Sequence, residues 1–126
     1  MIVGLGIDVA EVDRLKDALE RRGERMYQRL FTPAEIAYCN SHKNNYERLA
    51  ARFAIKEAAM KALGTGWRRG VRWQDIEVVN QRGGKPVLRL AGAAERIAAQ
   101  QGVKTINISI THSGNLAIGQ VIFENQ

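Results

Sequence analysis

The sequence holds one cysteine, Cys39, so no disulfide framework and no cysteine-based metal cluster can form within one chain. A reducing, cytoplasmic setting is the expectation. Two histidines, His42 and His112, are too few beside that cysteine to suggest a zinc site. No apolar run approaches the roughly 20 residues of a membrane span, so no membrane insertion is expected. Met1 to Glu11 has no basic n-region, and Asp8 interrupts its apolar stretch, which argues against a secretory leader. Aromatic residues are only 6% and scattered, and no DNA or RNA recognition motif appears. Gly4-Leu5-Gly6 lacks the third glycine of a dinucleotide fingerprint. There is no repeat, low-complexity segment or linker, so residues 1–126 read as a single domain.

What is present is basic. Nineteen Lys and Arg against thirteen Asp and Glu give a net charge of +6. Such a surface attracts anions: nucleic acid, phosphorylated ligands, acidic proteins or anionic membranes. The pattern predicts a first strand over 1–9, then helices over 11–22 and about 24–30. Thr32-Pro33-Ala34-Glu35 combines an N-cap, Pro at the first helical position and Glu three residues after the cap, predicting a helix that ends near Ser41. A long helix is predicted from about Tyr46 to Leu63, closed by Gly64-Thr65-Gly66. Strands are predicted over 71–79 and 86–90 around a turn at 80–84, and an Ala-rich helix over 91–101. Alternation of Ile106, Ile108 and Ile110 predicts a strand to Thr111, and Ser113-Gly114-Asn115 turns into a last strand over 116–123. The sum is α+β: an antiparallel β-sheet with helices packed on one side.

The long helix is apolar nearly all round. Leu49, Phe53, Met60 and Leu63 form one stripe; Ala51, Ile55, Ala58 and Ala62 cover the opposite side. Arg52, Lys56, Glu57 and Lys61 sit within it, and buried charge is costly unless paired or ligand-bound. Glu57 and Lys61, four apart, share a face with small neighbours that leave room for a ligand; a plain surface ion pair is the alternative. Asp8 follows an apolar strand. With Glu57 it could form the carboxylate pair that magnesium takes alongside phosphates and water, or it could simply cap the next helix. His112 closes a strand among hydroxyl residues, a setting for a phosphate contact or proton transfer, or for an ordinary hairpin histidine.

Three segments together are similar to the holo-acyl-carrier-protein synthase family of phosphopantetheinyl transferases. They are Gly6-Ile7-Asp8-Val9-Ala10-Glu11, the run from Arg52-Phe53-Ala54-Ile55-Lys56-Glu57 through Lys61 to Gly64-Thr65-Gly66, and Ser109-Ile110-Thr111-His112-Ser113. Gly84-Lys85-Pro86 and Leu30-Phe31-Thr32 also resemble the family pattern. The resemblance runs nearly end to end.

It implies transfer of 4′-phosphopantetheine from coenzyme A to a serine of an apo acyl carrier protein, with release of 3′,5′-ADP, in fatty acid biosynthesis. Asp8 and Glu57 would hold Mg²⁺ against the pyrophosphate. Lys61 would contact phosphate and assist deprotonation of the serine. Arg52, Gly64, Thr65, Gly66, Lys85, Pro86 and His112 would lie along the coenzyme A path. The base stays open between Glu57, Lys61 and a metal-bound water. The family also implies a homotrimer with active sites between subunits.

Arg14, Arg21 and Arg25, at spacings of seven and four, would then form a stripe for the acidic carrier protein, provided that Gly23 does not break it. Two readings compete. A small nucleic-acid-binding module would use the basic charge, but Asp8 and Glu57 would repel phosphate without a metal. A purely structural subunit of a trimer would leave the helix charges unexplained.

Overall fold

The computed structural model describes residues 1–66 and 68–126. The element order is β1 (Ile2–Glu11), α1 (Val12–Arg22), α2 (Glu24–Leu30), α3 (Pro33–Asn40), α4 (Asn45–Leu63), β2 (Ile76–Asn80), β3 (Pro86–Leu90), α5 (Gly92–Gln100), β4 (Thr105–Ser113) and β5 (Leu116–Glu124). The β1, β5 and β4 strands form one antiparallel sheet with β5 in the middle, and β2 and β3 form a separate hairpin. This is the expected α+β architecture. No helix among the described residues is long and apolar enough to cross a membrane.

The α4 helix is the axis of the molecule. It packs on one face of the three-stranded sheet, and the main core forms where Ile55, Ala59 and Leu63 meet Val121 and Phe123. Two glycines permit this close approach. A Cβ on Gly6 of β1 would stand 1.8 Å from the Ala58 carbonyl oxygen, and one on Gly119 of β5 would stand 2.8 Å from the Ile55 nitrogen. Any side chain there would push sheet and helix apart. A second cluster on the other end of α4 gathers Leu15, Leu19, Phe31 and Leu49, fixing α1 to α3.

Local chemistry explains most boundaries. Thr32 accepts the Glu35 N–H at 3.2 Å, and Glu35 accepts the Thr32 N–H at 2.9 Å, completing the expected capping box at the start of α3. Such a cap is worth about 1 kcal/mol. One expectation fails: the strand over 71–79 begins only at Ile76. Trp73–Asp75 is instead a single 3₁₀ turn, because the buried Asp75 carboxylate accepts the Arg72 N–H at 3.1 Å and curls the chain. At the other end of the molecule β1 runs to Glu11, two residues beyond its predicted end, so Asp8 lies inside the strand and does not cap α1.

The outer face of the sheet is unusual. Leu5, Ile7 and Val9 of β1 are more than half exposed, opposite Ile122, Gln120 and Ile118 of β5. Large apolar residues left in solvent along an edge strand are uncommon on a monomer's surface.

Candidate active site

The sheet register puts Asp8, on β1, and His112, on β4, on the same face as α4 but at opposite edges, with β5 between them. The helix lies along β5. Glu57 and Arg52 are five residues apart, so they leave α4 in directions about 140° apart. Two candidate half-sites result, one on each flank of the helix.

On the β1 flank, Lys61 Nζ donates to Asp8 Oδ1 at 2.8 Å and to the Ile7 carbonyl at 3.1 Å. Glu57 stands within hydrogen-bond reach of Asp8. The Glu57 carboxyl is pushed up to about 8, by burial first, then by its hydrogen bond to Asp8 and by the Asp8 charge, against the pull of Lys61. Burial also acts upward on Asp8, but its hydrogen bonds to Glu57 and Lys61 outweigh that and hold it below the usual carboxylate range. Two carboxylates thus share too little positive charge, and one keeps a proton near neutrality. A divalent cation would resolve that conflict. Hard oxygen donors on a fixed strand and a fixed helix, with open space beside them, suit magnesium in number and kind. The space is a cleft of about 350 Å³ lined by Glu57, Phe53, Met26, Ala18, Leu15 and Arg14. The sequence predicted burial for all four charges of α4. Lys61 instead has a side chain 56% exposed and reaches across to β1, because its position faces the open edge of the sheet.

On the β4 flank, Arg52 is 4% exposed. Its Nη2 donates to Asn80 Oδ1, and its guanidinium stacks over Tyr38 at 4.7 Å. Its Nε has no hydrogen-bond partner among the described residues. A buried, unsatisfied guanidinium N–H is costly, and no carboxylate among the described residues neutralises the Arg52 charge, which suits a guanidinium to a phosphate or carboxylate ligand. It lines a cleft of about 340 Å³ with Arg48, Asn80, Pro86, Ser109 and His112. His112 Nε2–H donates to the Glu47 carbonyl at 3.3 Å, which leaves the ring facing the same space. His42, by contrast, is tied to the Tyr38 carbonyl at 2.9 Å and is a loop residue.

The structure brings together Asp8, Glu57 and Lys61, and separately Arg52, Pro86 and His112. It does not bring Gly64, Thr65 and Gly66 into either cleft. Gly64 caps α4, about 18 Å along the helix from Arg52, and Thr65 is buried against its own loop. Lys85 is exposed beside the second cleft rather than in its lining. The arginine stripe is broken: Gly23, at φ 71°, turns the chain, so Arg14 and Arg21 flank one groove and Arg25 another with Arg22 and Arg29. Sequence reasoning missed Arg48 and Asn80. Arg48 lies one helical turn before Arg52, a signal that was available. Asn80 read only as a turn residue.

Two arginines in one cleft, without a carboxylate partner among the described residues, and crowded carboxylates beside another suit an enzyme that grips a phosphorylated ligand through its charges. Comparison with known proteins makes that class specific. The chain belongs to the 4′-phosphopantetheinyl transferase superfamily, whose model matches residues 4–121. It is 58% identical over 125 residues to a holo-[acyl-carrier-protein] synthase of Solibacter usitatus, covering 99% of this chain and 100% of the relative. The crystal structure of holo-[acyl-carrier-protein] synthase from Neisseria meningitidis superposes with a TM-score of 0.89 at 29% identity, covering 98% of this chain and 99% of that one. A Bacillus anthracis holo-(acyl-carrier-protein) synthase in complex with CoA (3′,5′-ADP) superposes with a TM-score of 0.82 at 35% identity, covering 100% and 99%.

Proposed function

We propose that this protein transfers the 4′-phosphopantetheine of coenzyme A to a serine of an apo acyl carrier protein, as a magnesium-dependent step of fatty acid biosynthesis. The observation that carries the reading is the Asp8–Glu57 pair with Lys61 beside it, in a chain whose relatives bear that activity in their names. Asp8 and Glu57 would hold Mg²⁺. Bound there, the metal supplies charge neutralisation at the pyrophosphate that the reaction cleaves. Lys61, exposed and bonded to Asp8, stabilises charge on the transferring phosphoryl group. The carrier serine attacks the β-phosphate, its proton passes to solvent or to a nearby base, and 3′,5′-ADP leaves. Arg52, Arg48 and His112 bind the anionic nucleotide end. Arg14 and Arg21 border the groove next to the Glu57 cleft, a position from which they steer an acidic carrier toward the metal.

The two half-sites also favour an assembly. The α4 helix stands between them, so one coenzyme A cannot lie along both within one chain without crossing it. Joining the β1 edge of one copy to the β4 flank of the next would bring complementary halves together and cover Leu5, Ile7 and Val9. That contact is head to tail, and a closed ring is its stable outcome; the family resemblance points to three copies. Sedimentation should show a trimer, and Ile7→Glu should yield monomers without transfer activity. An active monomer would remove the shared-site reading.

Calorimetry with coenzyme A tests the reading of the site. Binding that strengthens with Mg²⁺ and weakens with EDTA is expected. Salt-sensitive binding to arbitrary oligonucleotides with none to coenzyme A would replace it with the nucleic-acid reading.

A further inference from the structure

Lys56 and Glu35 form an ion pair in the interior, away from both clefts. Lys56 is wholly buried, and each of its three N–H groups has an acceptor: Glu35 Oε1 at 2.7 Å, the Trp73 carbonyl at 3.0 Å and the Ile76 carbonyl. Glu35 is equally occupied. Its Oε1 accepts the Thr32 N–H at 2.9 Å and its Oε2 accepts the Val78 N–H at 2.9 Å. Nothing is left over for a ligand. The pair therefore joins the start of α3, the middle of α4, the 3₁₀ turn and β2 at one point.

Stability alone does not account for it. Apolar residues of similar volume often replace a buried ion pair without loss, or with gain. What directional bonds add is register. Here they fix the rotation of α4 and the position of β2 along it. Both matter to the site. Lys56 directly precedes Glu57. Ile76 and Val78 lead along β2 to Asn80, which takes Arg52 on its oxygen and donates to the Gly84 carbonyl at 3.1 Å, holding the tip of the hairpin. Trp73, whose carbonyl Lys56 holds, stacks on Phe53 at 5.1 Å, and Phe53 walls the Glu57 cleft.

We propose that Lys56 and Glu35 are positioning residues for the transfer reaction: by locking β2 and the Trp73 turn onto α4 they keep the Arg52 half-site and the Glu57 half-site in register. The inference rests on the reading of both clefts as coenzyme A sites. With each coenzyme A shared between neighbouring copies, both half-sites of a chain must be set correctly for the neighbours they complete, and small displacements of groups that grip a ligand cost binding and rate even where no contact is removed.

The test compares three variants of the full chain in the transfer assay. Glu35→Gln with Lys56→Met removes both charges without leaving either one unpaired and is expected to fold, with a melting midpoint lowered less than in either single variant. Its KM for coenzyme A should nevertheless rise roughly tenfold, with a smaller fall in kcat. Glu35→Gln alone preserves side-chain shape but leaves the Lys56 ammonium without its carboxylate and should also lower the midpoint; measured in the cold, it provides the same kinetic readout if the double variant does not fold. Lys56→Met alone buries an unpaired carboxylate and should lower the midpoint by roughly 10 °C or more. Wild-type KM and kcat in the folded double variant, or in folded Glu35→Gln, would overturn the proposal. Arg52→Ala runs beside them: raised KM there with unchanged kinetics in the pair variants removes only the positioning role. No effect of Arg52→Ala on coenzyme A removes the reading of the cleft itself.

Discussion

Two lysine–carboxylate groups sit on successive residues of one helix and behave in opposite ways. Lys56 meets one carboxylate, Glu35, and every donor and acceptor between them is used. One residue on, Glu57 turns to the other flank, where two carboxylates face a single, exposed ammonium and an open cleft. The first group is complete without a ligand. The second is not, and Glu57 takes up a proton to limit the conflict. Among buried or half-buried charges, completeness separates scaffold from site better than charge does. Arg52 extends the contrast, since its Nε lacks a partner while its Nη2 has one.

The contrast breaks most sharply at the carboxylates. Asp8→Ala and Glu57→Gln should each lower kcat by roughly 10²–10³-fold or more, with the fold intact by circular dichroism. Full activity in either purified variant would remove the metal assignment. Next in size, Arg52→Ala should raise KM for coenzyme A by roughly 10–100-fold, the loss of a charge-assisted contact, with kcat nearly unchanged. The melting midpoint without ligand should fall, since Arg52 is packed on Tyr38 and bonded to Asn80, and the rise caused by coenzyme A should shrink as well.

Reversing Arg14 and Arg21 to Glu should raise KM for the carrier protein by about tenfold, diminishing as salt increases, and leave KM for coenzyme A unchanged. An equal effect on both would sink the docking face.

The smallest effect is on stability. The folded state holds Glu57 protonated up to about 8, against an ordinary carboxyl value of 4.5 in the unfolded chain. Between those values the folded state binds the extra proton, so the metal-free protein should lose stability as pH rises through that window. Glu57→Gln should flatten that slope in thermal melts, and Mg²⁺ should oppose it in the wild type. A slope unchanged in the variant would mean that Glu57 titrates normally.

Much of this was legible in the sequence because local signals agreed. Thr32-Pro33-Ala34-Glu35 marked the start of α3, and the alternating isoleucines marked β4. Buried charge in α4 marked the site. The strand predicted from Val71 failed because a single buried carboxylate, Asp75, sets the turn, and its burial is a tertiary fact. The role of Glu35 was half visible: the capping box was read, but its second partner, Lys56, lies across the core. Asp8 and Glu57 could be paired by chemistry. The spacing of Arg52 and Glu57 already sets them about 140° apart on the helix, but that β1 lies on one flank and β4 on the other could not be seen, since it depends on β5 lying between them. Gly64–Gly66 and Lys85, joined to the site by resemblance, fall outside the clefts of one chain, the first at the far end of α4 and the second on the exposed turn of the hairpin.

A mass measurement tests the transfer reaction and its metal requirement together. An apo acyl carrier protein is incubated with this protein, coenzyme A and Mg²⁺, with a parallel sample in EDTA, and its intact mass is read. The account expects a gain of one phosphopantetheine that disappears in EDTA. No gain across several apo carriers, with a folded protein, would contradict the transferase reading; an equal gain in EDTA would contradict the metal held by Asp8 and Glu57.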